Sequence, residues 1–155
     1  MNDYILGTAI GGLVAFAFSV PAIVLETISR FKLPNALYFD VKSMWGKKLE
    51  KHEVFLVALL IHLVIGSLFG LVYVAFVKNG WLVFTHSPYS IVSLLIFAFG
   101  SWIVAGTTVF PALGLGLFGR REGKRVWMEM LASHMILGIG LWLLAKYYQP
   151  FFFVN

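Results

Sequence analysis

Four uninterrupted apolar stretches dominate this chain and decide which solvent it can fold in. They run over Tyr4–Ser29, Val54–Val77, Ile91–Phe118 and Val126–Tyr148. Each is long enough to cross a hydrocarbon core about 30 Å thick, which takes roughly 20 helical residues. A backbone in lipid must satisfy its own hydrogen bonds, which leaves helices and closed barrels. The stretches are continuous rather than alternating between apolar and polar, so they predict helices. The first lacks a basic leading region and is too long for a cleavable signal peptide.

Composition agrees. Of 155 residues, 60% are hydrophobic and 12% charged, with a mean hydropathy of +0.88. Soluble domains carry about 25% charged residues, and half that share cannot cover a water-facing surface. A soluble enzyme domain, a disordered linker and a nucleic-acid-binding surface are thereby excluded. The chain has no cysteine, so disulfides, thiolate metal sites and cysteine nucleophiles are excluded too. The predicted fold is an all-α membrane protein, a four-transmembrane-helix antiparallel bundle forming one domain over residues 1–155.

Charge sets the expected orientation. Arg30, Lys32, Lys42, Lys47, Lys48 and Lys51 follow the first stretch, and Arg120, Arg121, Lys124 and Arg125 follow the third. Of the 12 cationic residues, only Lys78 and Lys146 fall on the other side. Lysine and arginine favour cytoplasmic loops, so loops 30–53 and 119–125 are expected inside and both termini outside. Trp81, Phe84, Tyr89, Tyr147 and Tyr148 mark the outer interface, where amphipathic rings settle. Residues 34–51 read as a basic interfacial segment. Leu37, Val41, Met44, Trp45 and Lys48 fit a short helix with its apolar face in lipid and its lysines among anionic headgroups. The alternative is a solvated basic loop.

Two short patterns recur. Val20-Pro21-Ala22-Ile23 matches Phe110-Pro111-Ala112-Leu113, and His62-x3-Gly66 matches His134-x3-Gly138. The chain therefore reads as two tandem helical hairpins in the same orientation, related by an axis along the membrane normal. Small residues on one face let helices approach closely in lipid. Gly7, Gly11 and Ala15, then Gly66 and Gly70, then Ser101, Ala105 and Thr108, and finally Gly138 are the expected packing positions. Pro21 and Pro111 should kink their helices, each freeing a carbonyl four residues earlier.

The run Pro111-Ala-Leu-Gly-Leu-Gly-Leu-Phe-Gly119 with His134-x3-Gly138, and the earlier His62-x3-Gly66, resembles a group of small prokaryotic four-helix integral membrane proteins. Those proteins carry His-x3-Gly on their second and fourth spans. The resemblance covers mainly the second half of the chain. It implies the fold and a prokaryotic cytoplasmic membrane, and carries over no activity or catalytic residue.

Ionisable groups within a membrane are costly and are functional candidates by default. His62, His134, Glu26 and Glu129 qualify. The histidines sit at matching depth, about 12 Å into their helices at 1.5 Å per residue. They could ligate a b-type haem, with Gly66 and Gly138 leaving room for the macrocycle and Arg121, Arg125 or Lys51 meeting its propionates. Equally, each imidazole could bond a neighbouring helix as packing glue. Histidine with glutamate at the inner mouth could relay protons, although Thr8 and Ser93 are too sparse for a continuous polar wire. Glu26 has Arg30, and Glu129 has Arg125, four residues away, the spacing of a helical ion pair. The glycine pattern Gly114-x-Gly116-x-x-Gly119 follows a membrane helix rather than a strand, so it is not a dinucleotide fingerprint. No catalytic residue, enzyme activity or metal centre is expected. The leading functional expectation is an accessory or structural subunit of a membrane complex, or a homo-oligomer. Haem-based electron transfer through His62 and His134 is the alternative, and a small transporter or ion pathway the third.

Overall fold

The computed structural model describes residues 3–28, 43–44, 47–48, 50–81, 87 and 90–152, excepting the side chains of 21–28, 43–44, 51–52, 54–55 and 148–152. Four long helices account for most of the described residues: α1 (Asp3–Ile28), α2 (Lys51–Lys78), α3 (Ile91–Ala112) and α4 (Val126–Phe152). Each contains a segment long and apolar enough to cross a membrane. The fold is all-α, as the continuous apolar stretches require.

Local chemistry sets the helix ends. Glu53 accepts the Glu50 N–H at 2.7 Å ahead of α2, as in a capping box. At its far end Gly80, at φ +66°, lets Trp81 N–H reach the Phe76 carbonyl at 3.0 Å, a left-handed cap. Ser90 Oγ accepts the Ser93 N–H at 3.1 Å and starts α3.

The third helix departs from expectation in two ways. It stops at Ala112 rather than Phe118, because Gly114, Gly116 and Gly119 all take positive φ, where a helix cannot continue. The irregularity expected at Pro111 spreads into a π-turn over Ala105–Val109. Proline has no N–H and crowds the carbonyl four residues back, and the wider turn accommodates both. Thr107 and Thr108 donate their hydroxyls to the Ile103 and Val104 carbonyls at 2.8 and 2.6 Å, so these backbone acceptors keep partners.

Part of the basic segment 34–51 is described: residues 43–44 and 47–48 are extended rather than helical, and Lys51 already begins α2. Ser43–Met44 (β1) pairs antiparallel with Lys47–Lys48 (β2). Except for Glu50 and Lys51, the rest of that segment, with Arg30, lies outside the described residues, as do Phe84 and Tyr89.

Packing is pairwise: α1 on α2, α3 on α4, and α1 also on α4. Gly7 lies against Gly70 and Gly11 against Gly66, main chain to main chain. A methyl added at Gly11 or Gly70 would fall on the facing carbonyl oxygen. Gly138 meets Ala98 and the Leu94 carbonyl. Ile10, Val14, Phe69, Tyr73, Leu94, Phe97 and Leu141 fill the space among the four helices. A smaller cluster of Phe110, Leu115, Val126 and Met130 closes one end, where Trp102 Nε1–H donates to the Trp127 carbonyl at 3.2 Å. The ring of Phe118 lies in the space that Gly106 leaves and touches Trp102 at 4.9 Å between centroids. That contact holds Phe118 at φ 50°, which folds the glycine-rich loop back onto α3.

Candidate functional site

His62 and His134, 72 positions apart, line one cavity inside the helices. Its walls come from α1 (Ala15, Phe18), α2 (Ile61, His62, Ile65), α4 (Met130, His134, Leu137) and Phe110 of α3. The matched depth expected of the two histidines thus brings them to a common space. His134 is 4% exposed. Its Nδ1 lies 2.8 Å from the Met130 carbonyl, which can only accept, so Nδ1 carries the hydrogen and donates. In the neutral ring Nε2 then holds a lone pair. Nε2 is fully buried and has no hydrogen-bond partner among the described residues.

This tautomer suits a metal ligand, because ligating histidines usually donate their other N–H to a carbonyl or carboxylate. The space does not match. The cavity measures about 50 Å³, which is of water size, whereas pockets for drug-sized ligands run to about 300–1,000 Å³. The room expected beside the histidines is also taken. Ala15 and the Gly11 carbonyl fill the gap at Gly66, and Ala98 and the Leu94 carbonyl fill that at Gly138. These glycines serve helix contact, not a macrocycle. Among the described residues, no three His, Asp or Glu side chains are grouped to hold a metal ion.

Glu129 lies in the first turn of α4, where a carboxylate complements the helix dipole. The expected ion pair with Arg125 does not form. Arg125 caps the helix, and the link between the two among the described residues is the backbone bond from Glu129 N–H to the Arg125 carbonyl at 3.2 Å. Pro21 and Glu26 fall within α1, but their side chains lie outside the description. At the opposite end Lys78 pairs with Asp3 at 2.6 Å and lies over the Tyr4 ring, and Lys146 lies over the Trp142 ring.

A second and larger space was not legible in the sequence. A groove of about 520 Å³ separates α2 from α3. Leu68, Val72 and Phe76 form one wall, and Ile96, Gly100, Ser101 and Val104 the other. Phe69 and Phe97, whose rings meet edge-on at 4.8 Å, bridge the walls. His134 reaches the groove from α4 and so lines both spaces. The rim residues Leu68, Val72, Ile96 and Val104 are exposed. Ser101 and Ala105, expected to seat a neighbouring helix, line this opening instead, and Thr108 is exposed. The small residue that does seat α4 on α3 is Ala98. Spacing alone could not distinguish these two faces of α3.

No protein-family model matches the chain, and comparison with curated proteins and with solved structures gives no match either.

Proposed function

We propose that this chain is a non-enzymatic integral membrane protein that acts by packing, as an accessory subunit of a membrane complex or as a homo-oligomer. The observation that carries this reading is a row on the outer side of α2. Leu56, Leu60, Val64, Leu68 and Val72 recur every fourth residue and are 41–61% exposed. An apolar i, i+4 ridge of that kind, inclined to the helix axis, offers another membrane helix a surface for ridge-into-groove packing.

The same reading takes the four helices as an antiparallel bundle of two tandem hairpins. Along the α1–α2 seam the partners run from Gly7 with Gly70 to Gly11 with Gly66, and along α3–α4 from Ala98 with Gly138 to Trp102 with Trp127. Opposed numbering in both pairs, and the convergence of His62 with His134, support it. The basic loops 30–53 and 119–125 would then lie on the cytoplasmic side among anionic headgroups, with both termini outside. Haem binding draws on the tautomer of His134, but the cavity volume and the filled glycines favour packing.

The chain's lack of cysteine gives a clean test. Leu60→Cys in native membranes is expected to give a disulfide-linked dimer, or a bond to a second protein after bifunctional cross-linking. Leu143→Cys on α4 should give neither. A monomer by native mass spectrometry, with no cross-link at Leu60 and no co-purifying chain, overturns the reading.

A further inference from the structure

We propose that His134 is an acid latch between the helix pairs α1–α2 and α3–α4. Neutral, it is sealed among them; a second proton on its ring parts them and lets water in. The inference does not rest on the packing role, which uses the outward row of α2.

The latch follows from where the two ring nitrogens sit. Nδ1–H is committed to the Met130 carbonyl at 2.8 Å. Nε2 has no surface open to water and no hydrogen-bond partner among the described residues. In the neutral ring this leaves one lone pair unmet. A proton on Nε2 would place an unmet donor and a full charge in the same apolar space, a far larger cost. No water or anion reaches the atom where it lies. The charged ring therefore fits only after the helices move apart.

The groups around His134 all act in that direction. From α2, His62 lines the same cavity of about 50 Å³, so a charge on each ring would repel the other. To this cavity α1 brings Ala15 and Phe18, and α3 brings Phe110. On the groove side α2 and α3 present aliphatic and aromatic groups and the hydroxyls of Ser93 and Ser101. Among the described residues lining the two spaces, His62 is the one other titratable group, and no carboxylate is present to offset a charge.

Packing indicates where the parting occurs. Within each pair a carbonyl lies against a glycine, Gly66 on Gly11 and Leu94 on Gly138. Between the pairs, Gly140 of α4 meets only the side chains of Val14 and Phe18, which can shift where main chain cannot. Phe18 also walls the cavity, and Ile65 and His134 line both the cavity and the groove. Displacing His134 joins the two spaces.

In the opened form the wetted imidazole titrates near its ordinary value of about 6.5, while the closed form takes up no second proton. Opening is thus favoured as pH falls below that value, by about 30-fold between about pH 7.5 and about pH 5. The test is amide exchange of the full chain in phosphatidylcholine nanodiscs over this range, corrected for its intrinsic pH dependence. Stopping at about pH 5 keeps ordinary carboxylates ionised. Exchange across residues 61–66 and 133–138 should rise roughly 10- to 30-fold in the wild type. His134→Leu should rise less than about threefold, and His52→Gln with His86→Gln should match the wild type. A wild-type rise below about threefold, the same rise in His134→Leu, or its loss in the loop variant would each overturn the proposal. Imidazole nitrogen NMR of the wild type gives a second measurement that needs no variant. A neutral His134 with its hydrogen on Nδ1 in the protected form at about pH 5 is expected, and a charged ring there, with protection unchanged, overturns the latch.

Discussion

Gly11 and Gly100 are the same residue put to opposite uses. At Gly11 the missing side chain admits the Gly66 carbonyl, and a methyl there would overlap it. Gly11→Ala is therefore expected to lower stability by about 1–3 kcal/mol, the range for overpacking. At Gly100 a methyl meets nothing, so Gly100→Ala should stabilise by about 0.5–1 kcal/mol through helix propensity. Thermal unfolding of the two variants in one detergent checks both signs. The first role could be read from the sequence, because Gly7-x3-Gly11 and Gly66-x3-Gly70 announce close-packed faces. The second could not, because spacing gives a face and not what lies opposite it. The histidines divide in the same way. Their recurrence at equal depth predicted that they share a space, but the size of that space depends on Ala15, Ala98 and Phe110, which carry no signal of their own.

The most irregular element is the third helix, where proline, threonine and glycine act in succession over a few turns. Pro111 widens the preceding turn, Thr107 and Thr108 bond the two carbonyls just ahead of it, and positive-φ glycines then end the helix. Phe118 clamps the loop by placing its ring on Gly106. Phe118→Ala should release that clamp, lowering stability by about 1–3 kcal/mol and speeding amide exchange across residues 113–125. Unchanged exchange would show that the glycines and the Arg121 bond to the Gly114 carbonyl (3.1 Å) suffice. Hydropathy located this helix but overran its end, because Leu113, Leu115, Leu117 and Phe118 are as apolar as the helix itself. Backbone conformation, not polarity, ends it.

For the whole molecule, the topology is the property most open to direct test. If the basic loops face the cytoplasm, Lys48→Cys should be shielded from a membrane-impermeant thiol reagent in intact cells and Asn79→Cys should react. The reverse pattern would place the termini inside. Changing Leu56 and Leu60 together to alanine should leave stability within about 0.5 kcal/mol, as for surface sites, while removing association measured by native mass spectrometry. The α1–α2 seam explains why such an exchange is tolerated. Because its centre is main chain against main chain, the seam draws little on the outward side chains of either helix. The surface offered to other molecules can therefore drift in evolution, residue by residue, while the hairpin that displays it stays in register.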